Sequence, residues 1–114
     1  MSNFVSQLSA SIEQELPLLE SIYKDLHQNP ELPLQEVRTA DIVARQLGAY
    51  GFEVKEKIGG TGVVGILRNG EGPTVMLRAD MDAVPMKEET GLSYASTREA
   101  TNVKGETVPV AHAC

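Results

Sequence analysis

Apolar residues recur every three or four positions at Val5, Leu8, Ile12, Leu16, Leu19, Tyr23 and Leu26, which predicts a helix with one apolar face. Pro17 interrupts this stripe. Either one helix kinks there, or a second helix begins just before it, because proline is tolerated in a first turn. Asn29-Pro30 ends the segment in both cases. A second helix is predicted from Pro33, a residue suited to a first turn, with Glu36 at the positive end of the helix dipole. Val37, Ala40, Ala44 and Leu47 form its buried stripe, and Gly48 and Gly51 supply the stop.

The period then falls from about 3.6 residues to about 2. Phe52, Val54 and Ile58 alternate with Glu53, Lys55 and Lys57. Gly59-Gly60-Thr61-Gly62 reads as a turn, residues 63–68 as a short apolar strand, and Asn69-Gly70 with Gly72-Pro73 as a second turn. Residues 74–80 are predicted to be the next strand, buried on both faces as in the middle of a covered sheet. Beyond Pro85, residues 93–102 and 107–111 form two arms around Lys104-Gly105, a loose hairpin or an ordered loop. Two helices followed by several strands fit the front of a three-layer α/β fold that is incomplete in this chain.

A chain of 114 residues fits one small domain. Its hydrophobic share of 41%, with 4% aromatics and no Trp, predicts an aliphatic core. The net charge of −6, without a basic cluster, argues against binding to nucleic acid or to an anionic membrane. No apolar run approaches the ~18 residues of a membrane span. Met1-Ser2-Asn3-Phe4-Val5 lacks the basic start and apolar stretch of a secretion signal. Cys114 is the only cysteine, so no disulfide can form within the chain. The expectation is a soluble cytoplasmic protein.

Two clusters carry candidate chemistry. Asp80 and Asp82 flank Met81 at the end of the predicted core strand, and in an extended chain they share a face. Ligands of open α/β sheets gather at such strand ends. There two carboxylates can hold a hard cation or orient a metal-ligating histidine. Alternatively, one caps a loop and the other pairs with Arg78. His112-Ala113-Cys114 offers imidazole and thiolate, both good ligands for zinc and related metals. Two ligands do not complete a four-coordinate site, and a chain end that simply contains His and Cys is the competing reading. His27 fits a structural role at the negative end of the first helix better than a catalytic one. The glycine run lacks the lysine and following helix of a phosphate loop. Glu88 and Glu89 would face opposite sides of an extended chain, both solvated.

Taken in order, several blocks resemble a known family: Leu26-His27-Gln28-Asn29-Pro30-Glu31-Leu32, Gly59-Gly60-Thr61-Gly62-Val63-Val64, Leu77-Arg78-Ala79-Asp80-Met81-Asp82-Ala83-Val84-Pro85, then Glu89-Thr90-Gly91-Leu92 with Tyr94-Ala95-Ser96, and finally His112-Ala113-Cys114. The series is similar to the amidohydrolase branch of the zinc exopeptidases, which includes hippurate hydrolases, N-acyl-amino-acid deacylases and hydrolases of indole-acetyl amino acids. In that family the last motif continues as Cys-Gly-His-Asp, and its cysteine and following histidine bind metal. The resemblance therefore implies that Cys114 is a metal ligand. It implies that Asp82 is a catalytic-site aspartate that helps orient the metal site. Asp80 stands where related exopeptidases have a histidine ligand, and an aspartate is usual there in this branch. The roles of Asp80 and His112 stay open. Pro33, where a helix-capping residue is common, and Val110-Ala111, where a methionine is common, depart from the pattern without touching the chemistry.

The resemblance further implies a fold that is the N-terminal part of a three-layer zinc-exopeptidase-like catalytic domain. Residues 1–114 would end inside the metal motif, and the lid and dimerisation domain would be absent. The implied reaction is hydrolysis of the amide bond of an N-acyl amino acid or small peptide. One or two divalent ions (Zn, Mn, Co or Ni) would activate water, and a glutamate would carry its proton. This chain alone is expected to be inactive. The expected partner is a small-molecule substrate, with no nucleic acid and no membrane, and with a homodimer formed through the absent domain. Two alternatives stand beside this reading. One is a non-catalytic binding or regulatory module, since open sheet edges and apolar faces favour association. The other is an aminopeptidase or carboxypeptidase of the same superfamily.

Overall fold

The computed structural model describes residues 2–113. Helix α1 runs unbroken over Ser2–Gln28 with Pro17 inside it, so the stripe belongs to one helix. Pro17 is exposed, and the carbonyl that loses its N–H partner can turn to water. The apolar face remains largely uncovered: Phe4 is 68% exposed and Leu16 50%.

Helix α2, Val37–Ala49, starts later than the sequence predicts. Pro33 lies outside it, in a turn where Leu34 adopts φ 62°. Glu36 occupies the N-cap position but makes no side-chain cap. Its buried carboxylate accepts a hydrogen bond from Thr61 Oγ1 at 2.7 Å instead. Capping comes from Glu31. Its carboxylate accepts the N–H of Arg38 at 3.1 Å and of Thr39 at 2.6 Å, as well as Thr39 Oγ1 at 2.6 Å. A carboxylate there satisfies orphan donors and meets the positive end of the dipole. Val37, in the first turn, is 71% exposed and drops out of the predicted stripe, while Ala40, Ala44 and Leu47 stay partly buried. At the far end Gly51 takes φ 82°, with Phe52 N donating to Leu47 O and Gly51 N to Gly48 O, the paired bonds of a glycine-terminated helix.

Strands β1, Glu53–Ile58, and β2, Gly62–Ile66, lie on either side of the predicted glycine turn and pair as an antiparallel hairpin with an irregularity between Lys55 and Ile58, β2 stopping short of the predicted residue 68. One of its glycines is sterically required and a second is closely packed. A Cβ on Gly62 would lie 2.5 Å from Ile58 O, and one on Gly65 would lie 3.0 Å from a methyl of Leu47. The second contact is the seat of α2 on the hairpin.

Residues 74–80 depart from expectation. They form no strand, and Val75, Met76 and Leu77 are 82%, 84% and 95% exposed. Burial on both faces needs a neighbouring strand and covering layers, and no described residues supply them. The arms beyond Pro85 do pair, as β3, Glu99–Thr101, and β4, Thr107–Pro109, around a turn in which Gly105 has φ 80°. All strand pairings among the described residues are antiparallel.

The core is small. Leu32, Ala83 and Val110 are buried together, with Ala100 and Val108 packed against them. Backbone bonds fix the same place: Ala83 N donates to Glu31 O at 2.7 Å, and Val84 and Ala111 exchange bonds of 3.0 and 3.1 Å. The radius of gyration is 17.0 Å, against about 13 Å for a closed domain of this length. The long first helix and the uncovered 74–77 segment account for the difference.

Replacing Glu31 by Ala removes the cap of α2 while leaving its backbone bond to Ala83 in place. The expected loss is about 1 kcal/mol of stability, read as a lower urea midpoint by far-UV circular dichroism. An unchanged midpoint would show that the cap contributes nothing.

Candidate functional site

The exchange of bonds between Val84 and Ala111 brings two distant motifs to one end of the molecule. Residues 80–82 enter that bridge from one side and His112 leaves it on the other. A cavity of about 200 Å³ lies there, lined by Tyr23, Leu26, His27, Pro30, Thr39, Asp80, Met81 and His112. The structure thus unites Asp80 with His112 on one wall, and places His27 of the first block beside them. Asp82 is half-buried next to Ala83 and does not line this cavity. Cys114 lies outside the described residues. Gly59, Gly60 and Gly62 serve the β1–β2 turn, well away from the cavity lining. A larger groove of about 270 Å³ between α1 and α2 contains none of the motif residues singled out for chemistry, and its Arg38 is paired with Asp25 at 2.6 Å.

Asp80 and His112 bring two potential metal donors to the cavity. A catalytic ion is held by at least three protein ligands. Among the described residues no group of three or more His, Cys, Asp or Glu side chains is placed to hold one. The described residues therefore do not make a metal site by themselves, and no chemical step follows from them alone.

Behind the cavity sits a cluster that sequence reading placed differently. Glu88 is not solvated: its side chain is only 5% exposed. Its Oε1 lies 2.8 Å from His27 Nε2 and accepts Thr90 Oγ1 at 2.6 Å, while Oε2 accepts Ser96 N–H at 2.6 Å. Because a carboxylate only accepts, this pairing puts a hydrogen on Nε2 of His27. The hydrogen bond from His27, then those from Thr90 and Ser96, hold the Glu88 carboxyl down from 4.5 to about 2. Tyr23 stacks on the His27 ring with centroids 5.9 Å apart, and Tyr94 meets it edge-on at 5.5 Å. His27 is thus held in a structural role, but by Glu88 and the two tyrosines rather than by the helix end that its position in the sequence suggests. Glu89, by contrast, is exposed and pairs loosely with Lys87 at 3.4 Å. No periodic signal marks Glu88. Its burial depends on the hairpin folding back so that Ser96 and His27 meet one carboxylate.

The chain is similar to several characterised proteins. It is 49% identical over 81 residues to the hippurate hydrolase of Campylobacter jejuni, an alignment covering 70% of this chain and 21% of that protein. It is 39% identical over 114 residues to thermostable carboxypeptidase 2 of Saccharolobus solfataricus, covering 98% of this chain and 27% of the relative. Among solved structures, a dinuclear metal-binding peptidase of the M20 family from Bacillus subtilis superposes with a TM-score of 0.69 at 34% identity, covering 86% of this chain and 25% of that one. No family model matches the sequence. The chain spans about a fifth to a quarter of the length of these relatives.

The depressed Glu88 pKa fixes the sign of one pH effect. A carboxylate whose folded pKa lies below its unfolded value adds stability above the unfolded value and loses it as pH falls through the folded one. Glu88→Gln is expected to be less stable than the wild type by a constant amount above pH 4.5, and the gap should close between pH 4.5 and about 2. Urea unfolding across that range measures it. A gap that persists unchanged down to pH 2 would mean the carboxylate is not held as described.

Proposed function

Since the chain belongs with the amidohydrolases and M20 peptidases, spanning a part of each, we propose that it forms part of a longer metal-dependent enzyme that hydrolyses the amide bond of N-acyl amino acids or small peptides. The observation that carries this reading is the meeting of Asp80 and Met81 with His112 at one cavity. That arrangement occurs in a chain 49% identical, over 81 residues, to a hippurate hydrolase.

In this reading Cys114 supplies a thiolate ligand and Asp82 orients the ligands around it, so that a second layer of contacts fixes the first. Remaining ligands and the proton-carrying glutamate come from beyond residue 114. Bound metal, whether Zn, Mn, Co or Ni, supplies the polarisation that makes water a nucleophile near neutral pH. The contribution of this chain is positional. It lines the cavity with Asp80 and His112 and holds the segment that carries Asp80 and Asp82. The enzyme works on small-molecule substrates, as a homodimer in the cytoplasm. No helix among the described residues is long and apolar enough to cross a membrane. Peptide substrates form a second reading, favoured by the match of 98% of this chain to a carboxypeptidase.

The test is release of free amino acid from N-acetyl and N-benzoyl amino acids, and from dipeptides, by the longer polypeptide. Each of the four metals is added in turn, with chelator as control. Metal-dependent release is expected, lowered about 100-fold by Cys114→Ser and about 10- to 100-fold by Asp82→Asn. Failure to bind any metal would sink the reading, and preference for dipeptides would select the peptidase. The 114-residue chain alone is expected to show no turnover under any of these conditions, and metal-dependent turnover by it would contradict the assignment of the remaining ligands to the longer polypeptide.

A further inference from the structure

Amide hydrolysis as proposed gives no role to Glu88, yet its carboxylate is buried and accepts from several donors. Its contacts continue inward. Oε2 fixes the backbone N–H of Ser96 at 2.6 Å, and the Ser96 hydroxyl donates in turn to Val110 O at 2.7 Å. Ser96 is 8% exposed and Val110 1%, so water does not compete for these bonds. Val110 N donates to Arg98 O at 3.1 Å, two residues along from Ser96. The other carboxylate oxygen reaches back to His27 at the end of α1.

We infer that Glu88 is a positioning residue, which sets the segment entering His112-Ala113-Cys114 against the end of α1 through Ser96 and Val110. The Val84–Ala111 bridge holds that segment on one side. On the other side Val110 N–H is held by Arg98 O, and the Ser96 hydroxyl adds a buried side-chain anchor at Val110 O, with Glu88 holding Ser96 in place to make it. Thr90 Oγ1 keeps the carboxylate in its rotamer from an exposed position. The inference rests on the proposed function only in giving the positioned segment a metal ligand at Cys114. The geometry itself requires neither metal nor substrate.

Amide hydrogen exchange on the 114-residue chain tests it. Glu88→Gln and Ser96→Ala are each expected to speed exchange at Val110 and Ala111 by roughly tenfold, the size of one buried hydrogen bond. Exchange within α2 and the β1–β2 hairpin should stay unchanged. Ser96→Thr, which keeps the hydroxyl, is expected to restore the protection. A global weakening would instead speed all amides together, and that result, or unchanged exchange at Val110 and Ala111, overturns the inference. Should Glu88→Gln unfold the chain outright, Thr90→Ala decides. A smaller increase confined to the same two amides supports the inference, and none overturns it. Because no metal is present, this outcome is independent of the hydrolysis assay, and either can fail without the other.

Discussion

Glu31 ties three separate parts of the chain together. Its carbonyl accepts Ala83 N–H, and its carboxylate caps α2 through Arg38 and Thr39. The turn after α1, the start of α2 and the segment carrying Asp80 and Asp82 therefore share one residue. Leu32, next along, enters the core against Ala83 and Val110. Neither half of this arrangement is strong alone. A cap contributes about 1 kcal/mol and one backbone bond about as much. Their value lies in geometry, because a rigid turn here sets where the candidate site can form.

Local elements were legible in the sequence because local rules determine them. The stripe from Val5 to Leu26 gave α1, the alternation after Phe52 gave β1, and Gly105 marked the turn between β3 and β4. Elements fixed by distant partners were not. The start of α2 moved from Pro33 to Val37 because the capping carboxylate is Glu31 rather than Glu36, and no spacing rule connects residue 31 to a helix that begins six positions later. Glu88 looked solvated for the same reason, since its burial needs His27 from 61 residues away. The candidate site divides along this line. Asp80, Asp82 and His112 were recognisable as motif residues, but their placement depends on the Val84–Ala111 bridge, which only the fold makes visible.

The error at residues 74–80 is of another kind. Their pattern of apolar residues is that of a strand covered on both faces, and the structure leaves Val75, Met76 and Leu77 almost fully exposed. Local preference there is clear, yet a strand exists only when its backbone groups have a ladder to join. The same holds for α1, whose regular apolar stripe meets solvent over Phe4, Val5 and Leu8. Sequence patterns report the environment a segment suits, and among the described residues these two segments do not meet it.

That mismatch bears on function. Contiguous exposed apolar surface on a soluble chain marks a contact surface or an aggregation liability. The exposed apolar residues 75–77 run directly into Asp80, so whatever pairs with them also fixes the approach to the cavity. Asp80 and His112 both line the cavity, on either side of the Val84–Ala111 bridge in the chain. A ladder formed along residues 74–80 would restrict the backbone that leads into Asp80. The segment that leaves Leu77 exposed is thus the one that leads into Asp80 and the cavity.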